Sequence, residues 1–283
     1  MQTEIHVAGL ERPSREREEK QEAHERSAPS SSVVYGAILK EGEEELARPS
    51  SALFWSGLAA GIAMGLSMIA EGLLMTYLPD AEWKPVVAKL GYSAGFLVVV
   101  LGRQQLFTEN TLTPILPLLQ RKARATVANV MRLWTVVLVA NVLGGLALAL
   151  VAAHTNAFDP AVRASFAELG HKALQPEFAT VLLRGIFAGW LIALMVWLLP
   201  FAETARVGVI ILVTYLVGLG EFSHVIAGSI ETFTVAAMGQ ASWADVLGSY
   251  FVPTLIGNII GGVTLVACLN HAQVTAGGSG KPG

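Results

Sequence analysis

The chain has 283 residues, of which 53% are apolar and only 14% are charged, and its formal net charge is −3. A soluble domain carries roughly 25% charged residues, so this composition excludes an ordinary soluble fold. The small negative charge gives no indication of a nucleic-acid partner. The sequence therefore predicts an integral membrane protein surrounded by the lipid bilayer.

Four regions follow from the composition along the chain. Residues 1–32 are rich in Glu, Arg and Ser and lack apolar periodicity, which predicts a disordered charged cytoplasmic tail. Residues 33–50 fit an amphipathic lead-in helix, residues 51–271 a six-span membrane domain, and residues 272–283 a flexible C-terminal tail.

Six apolar windows are long enough to cross a bilayer as helices. They cover 52–78, 90–119, 127–153, 179–200, 206–238 and 245–270. The second and fifth are broken by polar stretches, "GRQQLFTENTLTP" at 102–114 and "GEFSHVIAGS" at 220–229. Irregular backbone at membrane depth is tolerated only where protein or a water-filled cavity surrounds it. The two breaks therefore predict an internal cavity.

Basic residues give the orientation. Arg121, Lys122 and Arg124 follow the second span, and Arg206 follows the fourth. Positive residues concentrate in cytoplasmic loops, so both termini are expected in the cytoplasm. The connection 154–178 is then outside, with room for a short surface helix.

The two halves of the membrane domain resemble each other. "ANVLGGLAL" at 140–148 matches "GNIIGGVTL" at 257–265, and "SGLAAG" at 56–61 matches "RGIFAG" at 184–189. Each half has three spans, an odd number, so the second copy must be inverted. Inverted repeats with equivalent broken helices predict a solute pathway between the halves, near the bilayer midplane.

Ionisable residues cluster in and beside the breaks, where each costs about 2.5–3.5 kcal/mol at the bilayer centre. Two interpretations remain open: these residues line a solute pathway, or they satisfy each other in internal ion pairs, such as Arg103 with Glu109 or with Glu71. The candidates are Arg103, Glu109, Glu71, Glu221, His224 and Glu231.

Uncharged residues of the breaks have two interpretations as well. Thr108 fits either a helix cap or a hydroxyl in the pathway. Leu106 and Phe107 fit either an apolar constriction or ordinary core packing. Asn141 and Asn258 occupy equivalent positions of the repeat and are expected to brace the broken helices, since a buried amide needs partners.

Four motifs together resemble the formate/nitrite transporter family across residues 35–270. They are "QLFTEN" at 105–110, "RGIFAGWLIALMVW" at 184–197, "FSHVIA" at 222–227 and "PTLIGNIIGG" at 253–262. The resemblance implies an all-α, aquaporin-like fold of six transmembrane helices in two inverted three-helix repeats, assembled as a homopentamer. It also implies one pore per protomer for small monovalent anions such as formate, nitrite or related monocarboxylates.

The resemblance also implies roles for single residues. The central histidine of the family corresponds to His224, its loop threonine to Thr108, and its constriction to Leu106 and Phe107. Its sixth-span asparagine corresponds to Asn258. Its lysine outside the fourth span corresponds to Lys172, although the spacing is about one residue off.

The sequence departs from the family pattern inside both breaks. Gln105 replaces a glutamate, and Glu109 and Gly228 replace a glycine and an asparagine. In the fourth span Gly189 replaces an asparagine, while Arg103 has no counterpart. These changes leave the scaffold intact but weaken the assignment of a substrate; Gln105, Glu109, Arg103, Glu71 and Glu221 are candidates for an altered selectivity site or for internal ion pairs.

We hypothesise from the sequence that an anion takes up a proton, with His224 as the exchanging group near neutral pH, and crosses as the neutral acid. The alternative is a channel for a small neutral solute such as water, ammonia or a polyol, although the paired Asn-Pro-Ala loops of water channels are absent from the sequence. A membrane-embedded enzyme or a structural partner protein is a third possibility, for which no catalytic motif, metal-ligand spacing or cofactor motif is present. The expected location is the bacterial inner membrane.

Overall fold

The structure, a computed structural model, describes Arg17 and residues 29–278, with side chains through residue 276. Most of the predicted disordered tail and the last five residues lie outside this part of the chain. From residue 29 to residue 278 the regular secondary structure is helical. We number the helices α1 Ser31–Ala47, α2 Ser50–Tyr77, α3 Lys84–Leu101, α4 Ile115–Arg121, α5 Arg124–His154, α6 Pro160–Leu174, α7 Phe178–Leu198, α8 Arg206–Leu219, α9 Ala227–Ala237 and α10 Trp243–Ala276.

Within the described residues, five of these helices are long and apolar enough to cross a membrane: α2, α3, α5, α7 and α10. The fifth predicted span is split into α8, with 14 residues, and α9, with 11. Neither half reaches the roughly 20 residues that a complete span needs. This stretch is therefore a broken element, and so is the second predicted span, whose halves are α3 and the short α4.

Both breaks begin with the same backbone turn. Arg103 and Glu221 each have φ 52°, in the left-handed region, and each follows the glycine that ends its helix. In each turn the next residue donates back into the helix, from Gln104 N to Val99 O and from Phe222 N to Val217 O, both at 3.0 Å. Left-handed residues commonly end helices in this way, although glycine adopts this conformation at lower cost.

Helix packing repeats in the two halves. The backbone of Gly61 in α2 lies against the carbonyl of Asn141 in α5, and that of Gly189 in α7 against the carbonyl of Asn258 in α10. An added Cβ would lie only 2.2 Å and 2.3 Å from these oxygens. Small residues let helix backbones approach closely where lipid supplies no hydrophobic driving force. The glycines thus fix α2 on α5 and α7 on α10.

The helix α1 lies against α4 and the start of α5. It ends at Ala47, and Arg48 is extended with ψ 140° because Pro49 follows it. Between α5 and α7, the predicted surface connection contains α6. Its residues Val162, Phe166 and Leu169 are buried against α2 and α9.

Two boundaries differ from the sequence prediction. The second span begins at Lys84 instead of residue 90. Lys84 and Lys89 lower the hydropathy before residue 90, which shortens the apolar window, but they do not interrupt the helical backbone. At the C-terminal end, helix continues to Gly278, past residue 272 where a flexible tail is predicted. Residues 269–276 contain neither proline nor glycine, so nothing in the sequence ends the helix there.

Candidate functional site

The two breaks meet at one buried pair of side chains. Thr108 Oγ1 and His224 Nε2 lie 2.8 Å apart, and both residues are fully buried. The ring of Phe96 lies edge-on to the imidazole, with ring centroids 5.0 Å apart. The polar contact between the two broken spans therefore has an aromatic ring packed against it.

Backbone contacts decide which nitrogen of His224 carries the proton. Its Nδ1 is 3.3 Å from the N–H of Ile226 and 3.1 Å from that of Ala227, at the beginning of α9. Both groups are donors, so Nδ1 accepts. A neutral ring then holds its hydrogen on Nε2 and donates it to Thr108. A second proton on Nδ1 would displace both backbone donors, so these contacts argue against His224 as a group that titrates near neutral pH.

The hydroxyl of Thr108 accepts from His224 and keeps its own hydrogen for another partner. Among the described residues, the only side-chain contact of this hydroxyl is the one with the imidazole, which donates to it, so no acceptor for the hydroxyl hydrogen is found. Thr108 precedes the short turn Glu109–Thr111 but makes no side-chain capping bond. Of the two interpretations of Thr108, the contacts favour a hydroxyl available to a passing solute.

Leu106 and Phe107 lie directly before Thr108 and are buried, with 0% and 1% exposed. The ring of Phe107 packs edge-on against Trp134 of α5, with centroids 5.9 Å apart. These side chains fill the space beside the polar pair. Their contacts are equally those of core residues, so both interpretations remain.

Asn141 and Asn258 brace the two breaks through equivalent hydrogen bonds. Asn141 donates to Gly57 O at 2.7 Å and to Gln105 O at 2.9 Å, and it accepts from Phe107 N at 2.9 Å. Asn258 donates to Gly185 O at 2.8 Å and to Ser223 O at 2.9 Å, and it accepts from Val225 N at 2.9 Å. Each amide satisfies two buried backbone groups that a break leaves unpaired, and its third hydrogen bond ties that break to a carbonyl of a neighbouring helix.

A cavity of ≈ 60 Å³ opens toward one side of this pair, next to α6. We call it the α6 vestibule; its charged residues are Lys89, Lys172, Arg184, Glu221 and Glu231. The space would hold roughly four water molecules, or one small carboxylate. Glu221 Oε1 lies 2.5 Å from Lys172 Nζ, and its Oε2 lies 3.4 Å from Arg184. The predicted Lys172 therefore lies at this cavity.

A wider cavity, of ≈ 620 Å³, opens beside α1. We call it the α1 vestibule; its charged residues include Glu41, Glu45, Arg103, Glu109 and Arg206. Lys89 and Arg103 are 14 residues apart along α3 and its turn, about 20 Å for helix, so the two vestibules lie at opposite ends of that helix. Helix α8 runs from Arg206 in the α1 vestibule to Glu221 in the α6 vestibule. The broken spans α3 and α8 are therefore antiparallel, as an inverted repeat requires; inversion of the whole six-helix unit remains a prediction.

Arg103 forms an ion pair, but not with Glu109 or Glu71, the two partners suggested by the sequence analysis. Arg103 pairs with Glu41 of α1 at 3.1 Å, and Glu71 pairs with Lys89 at 2.5 Å. Glu71 of α2 pairs with Lys89 near the α6 end of α3, whereas Arg103 follows the other end of α3, so the two side chains are too far apart to touch. Glu109 Oε1 is buried and has no hydrogen-bond partner among the described residues.

Gln105 contacts α1 instead of the passage. Its Nε2 donates to Glu45 Oε1 at 3.2 Å, and its Oε1 accepts from Asn110 at 3.0 Å. Glu45 also accepts a hydrogen bond from Thr113. Burial raises the pKa of Glu45 to about 7, although these two hydrogen bonds act in the other direction. Sequence reasoning missed Glu45, because nothing in a lead-in helix indicates which of its four glutamates would reach a break.

Lys89 and Arg184 are further charged residues that the sequence analysis did not single out. Lys89 lies just before the second apolar window, and Arg184 in the quoted fourth-span motif. One available signal was the cost of a basic residue within a membrane span, which applies to Arg184.

The comparisons with known proteins agree with this architecture. The family model described as formate/nitrite transporter matches residues 32–272, so the chain belongs to the formate/nitrite transporter family. It is 38% identical to the inner membrane protein YfdC of Escherichia coli, over 94% of this chain and 86% of that protein. It is 25% identical to the formate channel BtFdhC of Bacillus thuringiensis, over 81% and 89% of the two chains.

Two solved structures share the fold. A pentameric formate channel with formate bound superimposes with a TM-score of 0.67 at 21% identity, covering 80% of this chain and 98% of that one. An ion channel of the same family superimposes with a TM-score of 0.71 at 18% identity, covering 86% and 99%. The aquaporin-like, all-helical membrane fold predicted from the sequence is thereby confirmed.

Proposed function

We propose that the protein conducts small monovalent anions, such as formate or nitrite, and that they cross the midplane as the neutral acid. The observation that carries this proposal is the buried His224–Thr108 pair, which offers hydrogen bonds but no fixed charge in an apolar passage. A bare anion beside Leu106 and Phe107 would lose its hydration without a compensating cation. The protonated acid needs only hydrogen bonds.

In this proposal the α6 vestibule receives the anion. Lys172 and Arg184 converge on the single carboxylate of Glu221, which leaves an excess of positive charge to attract an anion. After protonation, the acid accepts a hydrogen bond from the Thr108 hydroxyl, whose orientation is fixed by His224. His224 thus positions a donor and is not itself the proton carrier, a change from the hypothesis drawn from sequence.

The assembly and location proposed here rest on the relatives. The pentameric formate channel supports a homopentamer with one passage in each protomer, and the inner membrane relative supports the bacterial inner membrane. We place the α1 vestibule on the cytoplasmic side because Arg121, Lys122 and Arg124 follow its break. The α6 vestibule then faces outward.

The test is uptake into proteoliposomes containing the purified chain, with formate, nitrite, acetate and lactate compared at two external pH values. We expect uptake of one or more of them to rise as the external pH falls, because protonation precedes the apolar passage. Protein-free liposomes measure the leak of neutral acid through lipid. Uptake no faster than that leak for all four would refute the proposal, and fast water or ammonia flux in the same vesicles would then favour a neutral-solute channel.

A further inference from the structure

Glu231 is a buried carboxylate in the α6 vestibule that the proposed passage has not yet used. It lies in α9, is 9% exposed, and lines the cavity together with Lys89. Its backbone carbonyl lies against Gly170 of α6, where an added Cβ would come within 2.5 Å of that oxygen. This close packing fixes the position of Glu231 at the wall of the cavity.

The cations of the vestibule are engaged by other carboxylates. Lys89 Nζ lies 2.5 Å from Glu71 Oε1, while Lys172 and Arg184 both contact Glu221. Within residues 29–276, no hydrogen bond or ion pair to the Glu231 carboxylate is found. Glu71 Oε2 is also buried without a partner. Around Lys89, therefore, two buried carboxylates share one cation.

A buried carboxylate without a cation of its own is costly when ionised, and binding a proton removes that cost. Tyr92 of α3 and Tyr250 of α10 also line this wall, and neither supplies a positive charge. In the other cluster of the lining, two cations, Lys172 and Arg184, share the one carboxylate of Glu221. The vestibule thus contains one cluster with an excess of cation and one with an excess of carboxylate.

We propose, building on the function proposed above, that Glu231 is the residue that exchanges a proton with the anion held in the α6 vestibule. The anion binds at the Lys172 and Arg184 cluster. The O–H bond of the Glu231 carboxyl breaks, and an O–H bond forms on the anion, which leaves as a neutral acid toward Thr108. The ionised Glu231 is stabilised by Lys89 until it takes a proton from hydronium of the external solution, whose water then remains in the cavity.

The test compares Glu231→Gln with the unmodified chain in formate uptake across external pH. Near neutral pH, where little neutral formic acid exists in solution, we expect the variant to be at least tenfold slower. As the pH falls, the solution supplies neutral acid directly, and the ratio of the two rates should approach one. A residue with only a structural role would instead lower uptake by the same factor at each pH.

Two further variants complete the comparison. Glu231→Asp retains a carboxyl and should recover part of the neutral-pH uptake, while Glu168→Gln, at an exposed site on α6, should match the unmodified chain. An unchanged pH profile in Glu231→Gln would overturn the inference.

A second measurement does not depend on transport. The infrared spectrum at neutral pH should contain a protonated-carboxyl C=O band that is absent from Glu231→Gln, and identical spectra in this region would also overturn the inference. If the unmodified chain conducts none of the four anions, the proposed function fails, while the infrared band still decides whether Glu231 holds a proton.

Discussion

At the scale of single residues, the backbone N–H groups at the start of α9 determine what His224 can do. By donating to Nδ1, Ile226 and Ala227 hold the hydrogen of the neutral ring on Nε2. The imidazole therefore presents one N–H donor, on Nε2, and the Thr108 hydroxyl accepts its hydrogen bond. A change in Thr108 consequently reaches both the passage and His224.

Replacing Thr108 with valine should lower formate uptake at least tenfold and destabilise the protein by about 1–3 kcal/mol, because the buried Nε2–H loses its acceptor. Thr108→Ser keeps the hydroxyl and should retain most of the uptake. The measurements are uptake into proteoliposomes and denaturant unfolding in detergent. Thr232→Val is the matched control, since Thr232 is equally buried but its hydroxyl donates only to Ser229 O, at 3.2 Å. Equal uptake by Thr108→Val and Thr232→Val would contradict the role given to Thr108.

At the scale of helices, α1 is held over the α1 vestibule by buried apolar side chains, Ile38 and Leu46 among them, and by three of its glutamates. Glu41 pairs with Arg103, Glu43 with Arg121, and Glu45 with Gln105 and Thr113. Among these, Glu45 has its pKa raised by burial, to about 7. When α1 is undocked, this pKa should return to the ordinary 4.5.

The docked state therefore binds more protons than the undocked state between pH 4.5 and about 7. As the pH rises through this window, the equilibrium constant for docking of α1 should fall by at most about tenfold per pH unit. Above the window the constant should no longer depend on pH. Hydrogen exchange of the α1 amides, corrected for the intrinsic pH dependence, measures this opening. Glu45→Gln should remove the dependence, while Glu44→Gln, which is exposed, should retain it. Protection that increases with pH would show that Glu45 does not act in this way.

Much of the helical architecture could be predicted from the sequence, because long apolar windows and polar interruptions are local properties. The positions of Thr108, His224, Asn141 and Asn258 in the breaks were visible in the same way. Side-chain partners were not, because they join distant segments. Arg103 meets Glu41 only because α1 folds back over a break 62 residues later in the chain. Apolar periodicity gives no information about that docking.

At the scale of the whole molecule, the two halves share one arrangement of hydrogen bonds around their asparagines. Asn141→Ala and Asn258→Ala should each destabilise the protein by about 2–5 kcal/mol, since each leaves two buried backbone groups of a break unpaired. Asn270→Ala is the control, because that amide makes a single bond to Val266 O within its own helix, at 2.9 Å. Denaturant unfolding in detergent gives the comparison. We expect the first two variants to lose similar amounts of unfolding free energy and Asn270→Ala to lose clearly less. A loss in Asn258→Ala no larger than that in Asn270→Ala would contradict the bracing role.

The two asparagine braces also bear on how fast a solute would move through the proposed passage. Each amide ties its break to two helices at once, so the turns at residues 103 and 221 cannot swing without breaking several buried hydrogen bonds. A passage with fixed walls needs no conformational cycle between uptake and release. Its turnover should therefore show the shallow temperature dependence of diffusion through a pore, in contrast to the steep dependence of a carrier that must rearrange for each molecule carried.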